Sequence, residues 1–365
     1  MARFLDIFED VTKLGAKIPT NLYLKNGLYP IIDQGQSEIA GYTNEENGLF
    51  TDVPAIVFGD HTRVIKYVDS PCFLGADGVK LLKAKDKSAN YKYLYYALCN
   101  ADIPNTGYNR HFKWLKEIEI PEYSSEEQIE IVAQLERVDS VISLRKQQLS
   151  KLDELVKARF VELFGNLVIG DKVDTNKKKI GEIASVTKLA GFEFTKYIQY
   201  KEQGEIIMLR GLNCKKGHLV LDDIKWIDKD TSDLLPRSKL YYGDILMTYA
   251  GTIGDVAMVD ADDKYHLAPN VAKITLNDKK ACNPIFLMHL FMYTNDYIMT
   301  FASVVAQASI NMEKIRNFEY YFPPVELQNQ FAAFVEQTDK SKFEIQQSLE
   351  KLETLKKALM QKYFG

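Results

Sequence analysis

The sequence predicts an α+β protein in which two pseudo-repeated mixed α/β domains are separated by two long helices packed as an antiparallel coiled coil. Three observations predict this. Residues 128–165 and 328–365 are two copies of one helical segment, identical without gaps at 13 of 38 positions. A long internal period of this kind marks a duplicated architecture. Each copy follows a stretch of short apolar runs punctuated by Gly and Asp, and each carries a heptad stripe. The expected boundaries are 1–120 for the first domain and 121–169 for a helical spacer, then 170–322 and 323–365 for the second pair.

In the first domain, runs at 55–58, 64–68 and 78–82 have the length and β-branched content of strands. Residues 91–99 read as a helix packed on them. In the second domain, 244–248, 256–259 and 271–276 are strand-like, and 285–301 reads as a helix. The duplication reaches into these domains. Residues 3–7 resemble 179–183, 27–35 resemble 204–211, 55–59 resemble 244–248, and 90–94 resemble 283–287. The offset grows from about 176 to 200, so the second domain carries inserted loops. Neither domain shows the βαβ alternation of a parallel-sheet enzyme.

The helical segments come next. Ile131, Leu135, Val138, Ile142, Arg145, Leu149, Leu152 and Val156 step by alternating fours and threes. Phe331, Val335, Thr338, Lys342, Ile345, Leu349, Leu352 and Lys356 do the same, with Leu355 and Leu359 alongside. That spacing makes a coiled-coil seam. The polar breaks at Arg145, Thr338, Lys342 and Lys356 can fix register. Helices of this length span on the order of 55 Å, and neither can bury its stripe alone. Pro121 followed by Ser124-Ser125-Glu126-Glu127-Gln128 supplies a capping-box start. Pro323-Pro324 precedes Gln328 at the second start, and Phe164-Gly165 and Phe364-Gly365 read as C-caps.

Composition narrows the class. The 365 residues are 46% hydrophobic and 12% aromatic. No apolar run approaches the roughly 20 residues of a membrane span, and the first residues lack a signal-peptide layout. Cys72, Cys99, Cys214 and Cys282 are far apart, which suits free thiols in a reducing cytoplasm. The net charge is −4, concentrated as an excess of acids in 121–169. A nucleic-acid surface would therefore have to come from local placement of basic groups.

No complete catalytic motif is present. Asn283-Pro284-Ile285-Phe286 falls short of the Asn-Pro-Pro-Tyr/Phe of amino-methyltransferases, and its counterpart Asn90-Tyr91-Lys92-Tyr93 marks it as a helix start capped by Asn. Gly243, Gly251 and Gly254 lack the Lys-Ser/Thr of a phosphate-binding loop. The five histidines have no metal-ligand spacing.

The arrangement resembles the specificity (S) subunit of type I restriction–modification systems over essentially the whole chain. The proline-to-Gln helix starts and the Leu-rich helices ending in Phe-Gly look like that family's conserved regions. Tyr29-Pro30-Ile31-Ile32-Asp33-Gln34-Gly35-Gln36, Phe58-Gly59-Asp60-His61-Thr62-Arg63, Gly75-Ala76-Asp77-Gly78 and 107–113 look like one class of target-recognition domain; 243–248 with 251–254 looks like the commoner class. The resemblance implies two target-recognition domains, each reading half of a split site in double-stranded DNA. It implies helices that act as spacer and dock two methyltransferase (M) subunits, with motor-nuclease (R) subunits in the full complex. S-adenosylmethionine, ATP and Mg would then belong to partner subunits, and this chain would hold no cofactor or metal and do no chemistry.

Two unlike reading domains on a spacer suit two unlike half-sites about one helical turn (~34 Å) apart on one face of the duplex. The expected DNA contacts are His61, Thr62 and Arg63 after a Gly-Asp turn, and Tyr108, Asn109, Arg110, His111 and Lys113 in a loop. In the second domain they are Arg210, Asn213, Lys215 and Lys216, with Tyr249, Thr252, Gln307, Ser309 and Asn311 as further candidates. Arg suits guanine and Asn or Gln suits adenine; each could equally be an exposed turn residue. Gln34 and Gln36 could equally be turn formers. A stand-alone DNA-modifying enzyme and a coiled-coil scaffold with two protein-binding modules are the rival readings.

Overall fold

The computed structural model describes residues 1–75, 77–107, 109–173, 175–303 and 308–365. It is a mixed α/β protein, and the chain divides into two compact units, 1–147 with 346–365, and 148–345. The long helices Ser125–Phe164 (the central helix) and Val325–Phe364 (the terminal helix) each contribute residues to both units. Each long helix is therefore shared, one half counted with each compact unit.

In the first unit an all-antiparallel sheet runs in the order Phe8–Asp10, Val79–Ala84, Ala55–Gly59, Ile65–Val68. A second sheet runs Lys17–Ile18, Phe73–Gly75, Tyr29–Ile32, Gly41–Thr43, with the first two pairings parallel. Successive side chains of a strand point to opposite faces, and Ala55–Gly59 is buried on both. Ala55 and Val57 pack with Ile32, Phe50 and Leu74. Ile56 and Phe58 pack with Phe4, Leu94, Leu98 and Phe112. This double burial explains why the run is apolar without alternation.

The second unit repeats the strand order. Its antiparallel sheet is Ala184–Lys188, Val271–Leu276, Ile245–Thr248, Val256–Met258. Its other sheet is Lys239–Leu240, Tyr265–Leu267, Ile206–Leu209, Lys225–Ile227. Within these two sheets the edge strand differs: Lys17–Ile18 comes first in its domain and pairs parallel, whereas Lys239–Leu240 comes after Lys225–Ile227 and pairs antiparallel. Leu246 faces the core between the sheets, and Ile245 and Met247 face the helices.

Local devices also recur. Phe4 N donates to Ile118 O at 3.0 Å, and Ile180 N to Phe318 O at 2.9 Å. Asn90 caps its helix by accepting from Tyr93 N at 3.1 Å; Asn283 accepts from Ile285 N at 2.9 Å. Gln128 Nε2 donates to Tyr123 O at 3.0 Å and Gln328 Nε2 to Pro323 O at 2.7 Å. Ser124 and Glu127 close the expected capping box through Ser124 N to Glu127 Oε2 (2.8 Å) and Glu127 N to Ser124 Oγ (3.3 Å). Gly165, at φ +63, ends the central helix in the left-handed region that favours glycine. One expected helix is broken: 285–301 splits into Pro284–Tyr293 and Asn295–Met299. Thr294 sits between them, its hydroxyl donating back to Leu290 O at 2.6 Å and meeting the Tyr320 hydroxyl at 3.1 Å.

Within each unit the two long helices pack antiparallel. In the first, Lys356 pairs with Asp139 (2.6 Å) and Lys146 with Glu353 (3.3 Å), and Tyr363 Oη donates to Gln134 Oε1 (2.8 Å). In the second, Lys342 pairs with Asp153 at 2.7 Å, and the Phe331 ring meets Phe160 and Phe164 edge-on. All sixteen heptad positions are buried or half-buried. Two of the polar breaks, Lys342 and Lys356, thus fix register through interhelical carboxylates. Thr338 is satisfied within its own helix, donating to Phe334 O at 2.8 Å.

Among the described residues no helix is long and apolar enough to cross a membrane. Burial pushes the Cys72 thiol up to about 11 and those of Cys214 and Cys282 to about 12, which makes them poor nucleophiles at neutral pH. His289, on the buried helix Pro284–Tyr293, donates from Nδ1 to Ile285 O at 2.8 Å, and burial depresses its pKa to about 4. Its unfolded value is near 6.5, so between those limits the unfolded chain binds a proton that the folded chain refuses. Stability therefore falls as pH drops through that window. Between pH 7 and pH 5 the loss from this group is expected to be roughly 2 kcal/mol. Urea unfolding at the two pH values, compared with His289→Gln, checks it; an equal loss in the variant would exclude His289 as the source.

Candidate nucleic-acid interface

The first unit gathers four loops at one place. Gln34 leaves the strand Tyr29–Ile32, 60–64 link two strands of the antiparallel sheet, 77–78 form a turn, and 109–111 lead into the short helix Phe112–Leu115. Gln34 ties the first two: its Oε1 accepts from His61 N at 3.2 Å and its carbonyl from Thr62 Oγ1 at 2.6 Å. Buried Lys66 holds the Gln34 loop from below, donating to Ser37 O at 2.6 Å and Asp33 Oδ1 at 3.3 Å.

Asp60 locks the remaining loops. Its backbone N donates to Gly78 O (2.6 Å), its carbonyl accepts from His111 N (2.7 Å), and its buried carboxylate accepts from Phe112 N (2.8 Å). His111 Nδ1 also meets Asp60 O at 3.0 Å. A carbonyl can only accept, so Nδ1 carries the proton and Nε2 accepts from Thr106 N and Oγ1 at 3.5 and 3.4 Å.

This geometry sorts the expected contacts. His111 is fully buried and cannot touch a ligand as placed; it positions the loop. Arg63, at φ +63, donates from Nη1 to Ile103 O at 3.0 Å and so latches the segment that starts there. His61 is half-buried, with Nδ1 donating to Asn109 O at 3.2 Å. Thr62 is exposed, but its hydroxyl is engaged by Gln34. Asn109 and Arg110 are exposed at the rim; Asn109 Nδ2 donates to Thr106 O at 2.5 Å. Arg110 makes no hydrogen bond or ion pair among the described residues. Lys113 is exposed with its ammonium 4.0 Å from the Trp114 ring centroid. Tyr108 lies outside the described residues.

In the second unit, Arg210 is largely covered and committed inward, with Nη2 to Asp223 Oδ1 at 2.7 Å and Asp223 O at 2.8 Å. Asn213 is fully buried: Oδ1 accepts from Arg210 N at 3.0 Å, and Nδ2 donates to Val220 O and Asp223 O at 2.8 and 2.9 Å. It too positions a loop and is removed from the contact set. Lys215 and Lys216 are exposed on a tight hairpin between Cys214–Lys215 and His218–Leu219. Thr252 is exposed on a loop that Thr248 pins, through its hydroxyl to Thr252 O and through Asp255 N at 3.0 Å. Tyr249 is half-buried, its carbonyl accepts from Ile310 N at 2.9 Å, and the Lys188 ammonium lies 5.5 Å from its ring centroid. Asn311 is exposed and caps the helix Met312–Arg316 by accepting from Lys314 N at 2.9 Å. Ser309 pairs with Ser303 beside this loop; Gln307 lies outside the described residues.

Sequence reasoning missed Asp60, Lys66 and Lys188, which act on loops distant in the chain. Only the Gly-Asp pair at 59–60 offered a signal, and it read as a turn. Among the described residues no cluster of His, Cys, Asp or Glu is placed to hold a metal.

The two units share one strand order, and each carries polar loops beside its sheets. The chain belongs to the type I restriction modification DNA specificity domain family, whose sequence profile matches residues 3–154 and 172–357. It is 25% identical over 166 residues to the EcoBI specificity subunit of Escherichia coli, covering 44% of this chain and 35% of that one. It is 24% identical over 319 residues to the MjaVIII specificity subunit of Methanocaldococcus jannaschii, covering 79% and 74%. The match thus spans about a third of the E. coli relative. The fold resembles the crystal structure of the type I restriction–modification S subunit from M. genitalium, with a TM-score of 0.58, 16% identity, and coverage of 100% of this chain and 95% of that one.

Proposed function

We propose that the chain is the DNA sequence-specificity subunit of a type I restriction–modification complex and is not itself an enzyme. It is built as a pseudo-repeat, and each of its two target-recognition domains reads one half of an asymmetric, interrupted site in double-stranded DNA. The two long helices form one antiparallel coiled coil that sets the spacing and docks two methyltransferase subunits; motor-nuclease subunits join in the full complex. S-adenosylmethionine, ATP and Mg act on those partner subunits in the cytoplasm, and this chain holds no cofactor.

The observation that carries the reading is the strand order built twice over unlike loops: Gln34, His61 and Arg110 in one domain, Lys215, Tyr249 and Thr252 in the other. Equal frames with unequal readers suit unequal half-sites. The docking role is supported by Leu155 and Leu355, equivalent positions 200 residues apart that are both exposed. The test is co-expression with the methyltransferase subunit and genome-wide mapping of modified sites. Adding one heptad to each helix lengthens the spacer by about 10 Å, close to three base pairs at 3.4 Å each. The unread gap is expected to lengthen while both read words stay the same. A changed read word with an unchanged gap would contradict the spacer role.

A further inference from the structure

We infer that Asn270 is a specificity-determining residue of the second domain, its side-chain amide reading the edge of one base, with adenine as the geometric match. The inference rests on the DNA-reading function proposed above.

The turn that carries Asn270 occurs in both domains. In the first it joins Phe73–Gly75 to Val79–Ala84; in the second it joins Tyr265–Leu267 to Val271–Leu276. In each, the residue just before the second strand is left-handed, Gly78 at φ +69 and Asn270 at φ +66. In the first domain this position lies inside the candidate site. A Cβ on Gly78 would stand 2.6 Å from Gln34 Oε1 and 2.7 Å from His61 Cδ2, so a side chain there would have to displace those two.

In the second domain the same position is open and holds a side chain. Asn270 is exposed, and among the described residues its amide makes no hydrogen bond. Its backbone is fixed: Asn270 O accepts from Tyr249 N at 3.0 Å, and the Tyr249 carbonyl accepts from Ile310 N at 2.9 Å. The Arg210 loop is beside it, since Ala268 N donates to Leu209 O at 3.2 Å and a Cβ on Gly211 would be 3.3 Å from Thr248 Cγ2. The amide therefore projects from the junction of three candidate loops on a backbone held at both sides.

Glycine would adopt this φ freely, so the turn alone does not require a side chain. Asn is the residue that tolerates the left-handed region and also carries a donor and an acceptor side by side, the pair that matches adenine N7 and N6 in the major groove. Among the described residues the other left-handed non-glycine positions are Arg63, Lys216 and Asp263. Two of these lie on candidate loops, in keeping with backbone strain gathering at functional sites.

The experiment maps modified positions for the full chain co-expressed with the methyltransferase subunit, as wild type, Asn270→Gly and Asn270→Asp, and records the melting of each purified chain. Asn270→Gly keeps the backbone and removes the amide. It is expected to relax one position of a single half-site by about 5- to 150-fold, with melting and the other half-site unchanged. Asn270→Asp keeps an acceptor and loses the donor, so preference at that position is expected to move from adenine towards cytosine. An unchanged preference at every position in both variants overturns the inference. So does loss of the whole half-site with lowered melting, because Asn270 would then only hold the turn. A wild-type chain that directs no bipartite pattern would instead remove the functional reading beneath it.

Discussion

Arg110→Ala is expected to relax the reading of one half-site by about 1–3 kcal/mol, roughly 5- to 150-fold in discrimination, and to leave the other half-site untouched. The geometry supplies the reason. Arg63 and Arg210 spend hydrogen bonds inside the protein, on Ile103 O and Asp223. Arg110 is exposed and uncommitted, while the residue after it is clamped: His111 is fully buried between Asp60 and Thr106. A free guanidinium on an anchored backbone is the arrangement that gives bidentate contact to guanine O6 and N7 its precision. Mapping of modified sites separates two outcomes. Relaxation at one base pair marks a base contact. A uniform loss of affinity with a shallower salt dependence marks a phosphate contact. An unchanged pattern removes Arg110 from the readers.

Phe331→Ala is expected to cost about 3–5 kcal/mol, lowering Tm by on the order of 10 °C for a unit of this size. Phe331 is fully buried. Its ring centroid lies 5.3 Å from Phe160, 5.6 Å from Phe164 and 5.2 Å from His289, each close to edge-on. It therefore joins the terminal helix to the central helix and to the recognition domain at one point. Truncation leaves a cavity that three rigid rings cannot collapse into, so the cost lies at the upper end of the range for large-to-small changes. Phe331→Leu is expected to recover most of the loss. Thermal and urea unfolding check both variants; a cost below about 1 kcal/mol would show that the helices are held to the domain by other contacts.

Much of the fold was legible in the chain. The heptad stripes predicted a seam, and all sixteen positions are covered. The runs expected as strands at 55–58 and 244–248 form strands at 55–59 and 245–248, and the helix expected at 91–99 spans those residues. The helix break at Thr294 was not legible; the Thr294 hydroxyl there meets that of Tyr320, 26 residues away. The candidate site was legible as loops and only partly as residues. Of the expected contacts, Arg110 and Lys215 are exposed. His111 and Asn213 have the same chemistry but are buried, since each satisfies several backbone groups that would otherwise be orphaned.

By itself, the sequence determined that one plan is used twice, that long helices follow each recognition domain, and that no recognisable catalytic motif accompanies them. These follow from periodicity and local chemistry, which act over a few residues and survive in the linear text. Only the tertiary structure decided which half of each helix seals which domain, and which polar residues face outward. Those depend on burial and on hydrogen bonds between segments far apart in the chain, so an exposed arginine and an arginine that latches a loop look the same until the carbonyl partner is in place.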